Sequence, residues 1–503
     1  MSETTSAKKA IVNSVIYTFS GLLLKCFSFF LLPLYTVYLT TEDYGITSVS
    51  NSFIGTMVII ASFSLYTAVS RFYVEYKAEP EKLKRFYGTV VLFTLIASVA
   101  WGLVLTVFRG ALTRYVFSGV DFWPVIVICL GAFAFNIQHT VYTAMLKSQQ
   151  KAMAAALLSI ASFFIKLALN IYFVVVAKKG AVGVLLATMI SDGVIFLISI
   201  ADMLRTKTIT FCLDFKLLKS ALFYSVPIMP HNLSTSIASL ISKVLIGDQV
   251  SLASLGLYTV AAQFGNIADT IQNYVDSAYG PWLYEKLHAK EENYKKDIRK
   301  IVKFLVSVIG LFFLGIALFS HDYIILFFDA SYAQAWTYIP MTVAVFAIKT
   351  IYYFYVEVLF YYKKASRLLF VATLSSSILN VLLTAFMVPL WGVYGSIVAD
   401  AISMVVRVAI VVYISKCFED IGLRFWDFVG SFVETVLFIA VGSSLSYTIF
   451  ADSFSWWNFA FRVLIVMLYV GKMMFLHKEQ IKAGVLMIKR KNRKGKGEQD
   501  AGK

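Results

Sequence analysis

The chain has 503 residues, of which 59% are hydrophobic and only 15% charged, and its formal net charge is +16. A soluble protein of this length carries about a quarter charged residues, so the composition excludes a soluble globular enzyme and points to a polytopic membrane protein. The placement of the positive charge along the chain explains the excess by membrane topology, and no nucleic-acid partner is expected.

A helix needs about 20 predominantly apolar residues to cross the hydrocarbon core. The sequence predicts an all-α polytopic membrane protein of fourteen spans, near residues 10–38, 46–74, 86–108, 122–146, 152–177, 181–204, 217–246, 255–283, 301–320, 335–361, 366–388, 392–415, 427–450 and 456–476. The first segment is too long for a cleavable signal peptide and lacks a small-residue cleavage site. Pro33, Pro227 and Pro230 fall inside expected spans. Membrane helices accept them where neighbours satisfy the freed backbone groups.

Lys and Arg alternate between loops. The N-terminus, the even-numbered loops with their span ends and the tail hold 33 of the 45, whereas the odd-numbered loops hold four: Arg109, Arg114, Lys178 and Lys179. By the positive-inside rule both termini are cytoplasmic. The basic stretch 285–300 is expected to be an amphipathic interfacial helix, and the tail 489–503 to be disordered and drawn to anionic headgroups. Cys26, Cys129, Cys212 and Cys417 match neither a metal spacing nor a disulfide framework and are read as free thiols.

An internal repeat relates the first six spans to the next six. Gly45, Val49 and Phe53 match Gly256, Val260 and Phe264; Gly180, Gly183, Ala187, Ile190 and Ser191 match Gly392, Gly395, Ala399, Ile402 and Ser403. Each of the latter stretches follows a span with a Leu-Asn pair, at Asn170 and Asn380. Because six is even, both halves share one topology and the pseudo-two-fold axis runs along the membrane normal, as in two-lobed transporters. The expected organisation is an N-terminal lobe (1–204, spans 1–6), a cytoplasmic linker (205–216), a C-terminal lobe (217–415, spans 7–12), spans 13–14 (416–476) and a basic cytoplasmic tail (477–503).

The six-plus-six-plus-two pattern, the Tyr44-Gly45 turn into span 2, the Leu-Asn of span 5 and the Gly-x-x-Gly of span 6 resemble the multidrug/oligosaccharidyl-lipid/polysaccharide exporter superfamily. The basic residues inside spans and the basic tail resemble its polysaccharide (O-antigen or exopolysaccharide) flippases. That resemblance implies a non-enzymatic carrier in the bacterial cytoplasmic (inner) membrane. It implies transport of polyprenyl-pyrophosphate-linked sugar units from the cytoplasmic to the outer leaflet, alongside polysaccharide polymerase and assembly proteins. No phosphate-binding Gly-x-x-x-x-Gly-Lys-[Ser/Thr] loop is present in the sequence, and no cofactor or metal is expected. The rival readings are a cation-coupled multidrug antiporter of the same superfamily and a membrane-embedded polymerase or glycosyltransferase. The excess of intramembrane Lys and Arg argues against the first, and the short outward loops against the second.

Intramembrane charge marks function by default. Lys25 shares a face of span 1 with Thr18, Gly21 and Ser28, and Lys166 shares one of span 5 with Ser159, Ser162 and Asn170. Lys243 ends a stripe in span 7 with His231, Thr235 and Ser239. In span 8, Asn266, Asp269, Asn273 and Asp276 form one polar stripe at helical spacing, with Gln272 beside it. In span 10, Lys349, Tyr353 and Glu357 share a face, but Lys349 and Glu357 lie about 12 Å apart along the axis and each needs a partner on another helix. Lys25, Lys166, Lys243, Lys349, Asn266, Gln272 and Asn273 are the expected substrate contacts. Asp269, Asp276, Glu357 and His231 are the expected groups for H+ or Na+ coupling. Arg71, Arg462 and Lys472 read as snorkelling side chains near span ends, with Glu434 as a partner for Arg462.

Overall fold

The computed structural model describes residues 3–478 and 480, and these form helices and connecting turns with no β-strand among them. In chain order the helices are α1 (Glu3–Phe30), α2 (Leu32–Tyr38), α3 (Thr41–Ala61), α4 (Leu65–Tyr76), α5 (Pro80–Val107), α6 (Arg109–Tyr115), α7 (Val127–Ser148), α8 (Ala152–Asn170), α9 (Gly180–Arg205), α10 (Phe215–Ser225), α11 (Met229–Gln249), α12 (Leu252–Ala289), α13 (Tyr294–Phe327), α14 (Ile339–Tyr361), α15 (Lys363–Ser366), α16 (Leu369–Phe418), α17 (Phe425–Thr448) and α18 (Trp456–Leu476). The expected basic tail 489–503 lies outside the described residues.

Among the described residues eleven helices are long and apolar enough to cross a membrane, against fourteen expected spans. The difference has a physical reason. α16 covers 50 residues and holds two expected spans as two helical stretches joined at a kink, where Gly392 leaves helical geometry. The segment 217–246 is divided into α10 and α11 around Pro227 and Pro230, because proline removes a helical donor and clashes with the preceding turn. α12 is 38 residues long, but its polar stripe lowers its hydropathy. Span 2 is likewise broken: Phe63 and Ser64 adopt positive φ between α3 and α4.

Two compact units emerge, one from residues 1–260 with 373–399 and the other from 261–372 with 400–503. In the first, α9 packs on α7 and α8, and α3 runs beside α11. The repeat is visible in local geometry. Gly180 and Gly392, matched in sequence, both adopt positive φ, at +54° and +56°, a conformation that glycine takes without a Cβ penalty. Thr40 and Ser251 cap the helices they precede, accepting from Asp43 N at 3.1 Å and Ser254 N at 3.0 Å.

The matched glycines Gly45 and Gly256 also meet across α3 and α12. A Cβ on Gly45 would collide with the Leu252 carbonyl, and one on Gly256 with the Thr41 carbonyl. One turn further on, Thr259 Oγ1 donates to Ser48 Oγ at 2.8 Å. Small residues permit this approach, which is how helices associate in lipid, where apolar burial offers little drive.

In the second unit α13 is the central helix, contacting α14, α17 and α18. Leu314, Ala317 and Leu318 pack against Ile439, Ile465 and Tyr469. At one end of this cluster Arg462 is fully buried at 0% exposure. Its Nη1 donates to Asp322 Oδ2 at 2.5 Å and its Nη2 to Ser446. His321 Nδ1 lies 3.2 Å from Asp322 Oδ1, and its Nε2 is 2.8 Å from the Phe450 carbonyl. Arg462 therefore does not snorkel and does not pair with Glu434, which takes Lys472 at 2.6 Å. Helix packing turns Arg462 toward α13, where a carboxylate from a distant part of the chain compensates it.

The stretch 285–300 is not a separate interfacial helix. It is the end of α12, a turn and the start of α13. Acidic residues after α16 hold this turn: Lys290 and Tyr294 donate to Glu419 at 2.9 and 2.7 Å, and Arg299 donates twice to Asp427 at 2.6 Å. Partial burial pushes the Glu419 carboxyl up, but donation from Lys290, Tyr294 and Tyr362 outweighs it and holds the group below its ordinary value of 4.5. A carboxyl lowered by folding contributes stability above its unfolded value, and this is lost as pH falls through the folded value. Glu419→Gln is thus expected to cost about 1 kcal/mol near neutrality after solvent screening. In acid unfolding followed by tryptophan fluorescence, the gap from wild type should close below about pH 4.5.

Candidate functional site

The polar stripe of α12 and the face of α14 form one network in the second unit. Asp269 Oδ1 accepts from Lys349 Nζ at 2.6 Å and from the Tyr353 hydroxyl at 2.9 Å. Tyr353 also donates to Asn273 Oδ1 at 3.1 Å, and Asn273 Nδ2 donates to the Asp269 carbonyl at 2.8 Å. Gln272, only 1% exposed, donates to the Phe346 carbonyl at 2.6 Å and to Thr350. It sits in the seam between α12 and α14, where both of these bonds are made by its amide nitrogen, while its Oε1 is buried without a hydrogen-bond partner among the described residues. Asn266 is exposed and donates to Gln263 at 3.5 Å.

Two turns along α12 from Asp269, Asp276 interacts side chain to side chain with Glu357. Glu357 is 8% exposed and accepts from the Tyr284 hydroxyl. One oxygen of Asp276 is buried with no hydrogen-bond donor among the described residues. The acids of the stripe thus have different surroundings. Asp269 is neutralised by an ammonium and ordered by a phenol, whereas Asp276 faces another carboxyl.

The first unit holds Lys25, Lys166, Lys243 and His231. Lys25 is exposed on α1. Lys243 donates to Ser52 on α3 at 2.7 Å. His231 lies on the first turn of α11, where Asn232 donates to the Tyr66 hydroxyl at 3.3 Å. Beside this turn, a crevice of about 390 Å³ runs between α11 and the first half of α16. It is lined chiefly by Pro230, Leu233, Ile237, Ile241, Ile378 and Leu382, with Ser234 and Ser377 as its hydroxyl-bearing residues, and so offers mainly apolar contact. Lys166 on α8 interacts with Asp192 on α9. Asp192 also accepts from Asn136 Nδ2 at 2.9 Å and lies 3.4 Å from His139 Nδ1.

Asn136, His139 and Asp192 are absent from the candidates read from the sequence, as is Tyr284. The signal was present: an acid in the middle of an apolar helix, and an amide and an imidazole one turn apart on another.

Comparison with known proteins follows the same lines. The chain is 25% identical over 292 residues to a protein of the Lsg locus of Haemophilus influenzae, covering 56% of this chain and 68% of that one. It is also 25% identical over 374 residues to an uncharacterised membrane protein of the same species, covering 73% and 88%. Among solved structures, the lipid II flippase MurJ in an inward closed conformation matches with a TM-score of 0.72 at 15% identity, covering 94% of this chain and all of MurJ. An inward-facing multidrug resistance transporter of the MATE family matches at 0.55 and 15% identity, covering 83% and 94%. At these identities the likeness is one of fold. The model of the polysaccharide biosynthesis protein family, by contrast, matches the sequence over residues 11–286, more than half the chain, and this multi-pass membrane protein therefore belongs to that family.

Proposed function

We propose that the protein is a lipid-linked oligosaccharide flippase and not an enzyme. It moves polyprenyl-pyrophosphate-linked repeat units of a surface polysaccharide from the cytoplasmic to the outer leaflet by alternating access. It resides in the bacterial cytoplasmic membrane with both termini inside, and it acts before the polymerase and assembly proteins. The observation that carries this reading is a set of lysines within the spans of a chain with this family match. Lys25 is exposed near the C-terminal end of α1, and Lys166 is half-buried in the first unit, where the charge of Asp192 acts on it. An ammonium is a strong point-charge partner for a pyrophosphate, and Lys243, Lys349, Asn266 and Asn273 add donors suited to phosphate and sugar hydroxyls. The polyprenyl tail stays among lipid chains, since each CH₂ kept from water is worth about 0.8 kcal/mol.

Coupling to a cation is assigned to Asp276 and Glu357 ahead of Asp269 and His231. Two adjoining carboxyls in a membrane need a shared proton or Na+ between them, whereas Lys349 already neutralises Asp269. That neutralisation also supports the flippase over a drug antiporter, which requires an acidic surface for cationic drugs. The test is reconstitution into vesicles with a labelled lipid-linked oligosaccharide. Lys25→Glu and Lys166→Glu are each expected to reduce ATP-independent translocation at least tenfold with normal expression, because a carboxylate repels the pyrophosphate. Wild-type rates in both variants would refute the assignment.

A further inference from the structure

Around Asp192 the first unit assembles a charged cluster on three helices. The carboxylate is 6% exposed. From α7, Asn136 donates to Oδ2 at 2.9 Å and His139 Nδ1 stands 3.4 Å from Oδ1. From α8, the Ser162 carbonyl, one turn before Lys166, accepts from Ser191, the neighbour of Asp192, at 3.1 Å; Lys166 makes no ion pair with Asp192, but its charge acts on the same carboxylate. α3 also packs on α9, but its acids, Glu42 and Asp43, lie in its first turn. Asp43 is tied to Ala181 N at 2.8 Å, eleven residues and so about 16 Å along α9 from Asp192. α4 and α5 pack on α7 as well; their charged residues Arg71, Lys82, Lys84 and Arg85 pair with Glu75, Glu79, Glu81 and Asp214, and Asp202 on α9 accepts from Tyr142 on α7. Asp192 itself is paired with Asn136 and His139 and lies under the charge of Lys166.

The charge count depends on one proton. With His139 neutral, Lys166 and Asp192 cancel. With His139 protonated, the cluster carries one net positive charge, and Asp192 is divided between an imidazolium and an ammonium. Histidine is the side chain that makes this change near neutral pH, and ionisable groups at membrane depth mark relays and pathways more often than mere packing.

We propose that His139 and Asp192 form a proton-binding site that sets the net charge beside Lys166, so that a proton on His139 strengthens capture of an anionic diphosphate by Lys166. This rests on the reading of Lys166 as an anion contact. The chemistry is a proton moving from water to an imidazole nitrogen; the imidazolium pairs with Asp192 and leaves the ammonium less compensated. By linkage, diphosphate binding raises the proton affinity of His139 by the same factor. An interhelical pin of the same residues would alter stability but would take up no proton on ligand binding.

The experiment uses the purified full-length chain in detergent with geranylgeranyl diphosphate as probe. Calorimetric titration at about pH 5.5 and 8, on either side of the ordinary histidine range, is compared for wild type and His139→Gln. The probe's own protonation acts equally on both proteins. Relative to His139→Gln, wild type is expected to gain about tenfold in affinity at the lower pH. It is also expected to take up protons on binding, read from buffers of different ionisation enthalpy. Identical pH profiles and proton uptake in the two proteins would overturn the proposal. Asp192→Asn provides an independent variant: without the carboxylate that pairs with the imidazolium, it is expected to lose the gain in affinity at the lower pH and the proton uptake on binding, and a wild-type pH profile and proton uptake in it would equally overturn the proposal. Lys166→Gln separates the two readings. If it binds the probe as wild type does, the anion contact itself is refuted; if it weakens binding while His139→Gln follows the wild-type pH profile, only the proton site is.

Discussion

Asp322→Asn is expected to destabilise the protein by about 3–5 kcal/mol, the usual result of removing one partner from a buried ion pair. Arg462 is fully buried, and Asp322 is its carboxylate. Ser446 takes the other guanidinium nitrogen, but a hydroxyl cannot balance the charge. Asp322 also receives His321, so one substitution loosens α13, α18 and the turn at Phe450 together. The measurement is thermal unfolding in detergent, read by loss of the monodisperse peak on size exclusion. The double variant Asp322→Leu with Arg462→Met should recover most of the loss, because an apolar pair of similar volume avoids desolvating two charges. A single variant as stable as wild type would show that the pair does not hold these helices together.

A disulfide between positions 48 and 259 is expected to stop translocation completely. Ser48 and Thr259 are matched by the internal repeat, and their hydroxyls are 2.8 Å apart, close enough for cysteines there to reach bonding geometry. Gly45 and Gly256 lie one turn away in mutual backbone contact, so α3 and α12 approach closely here. In the proposed topology this contact lies at the outward ends of both helices. The proposed alternating-access cycle requires that end to open. In a chain whose native Cys26, Cys129, Cys212 and Cys417 are replaced by alanine, oxidation of Ser48→Cys/Thr259→Cys should abolish movement of the labelled lipid, and reduction should restore it. Full transport in the oxidised state would show that these helices do not separate during the cycle.

Much of the architecture is legible in the sequence because it rests on local rules. Apolar runs of about 20 residues and the glycines that recur at one offset are properties of short segments. They carry through to α9 and to the positive φ of Gly180 and Gly392, whereas span 7, read from the sequence as one helix, is divided into α10 and α11 around Pro227 and Pro230. The polar stripe of α12 is legible for the same reason, since spacing of three and four residues defines a helical face wherever the helix lies.

Which charge meets which is a different kind of information. Lys349 faces Asp269, eighty positions away, and Arg462 faces Asp322 rather than Glu434. His139, Lys166 and Asp192 converge from three helices. Sequence proximity carries no signal for such pairs, because the partner is chosen by the rotation and crossing of packed helices. In lipid, where apolar faces barely discriminate among neighbours, small-residue contacts and buried polar bonds set those rotations. The chain's membrane class, helical faces and repeat were thus present in its linear order, while the pairing of its intramembrane charges came into being only when the helices packed.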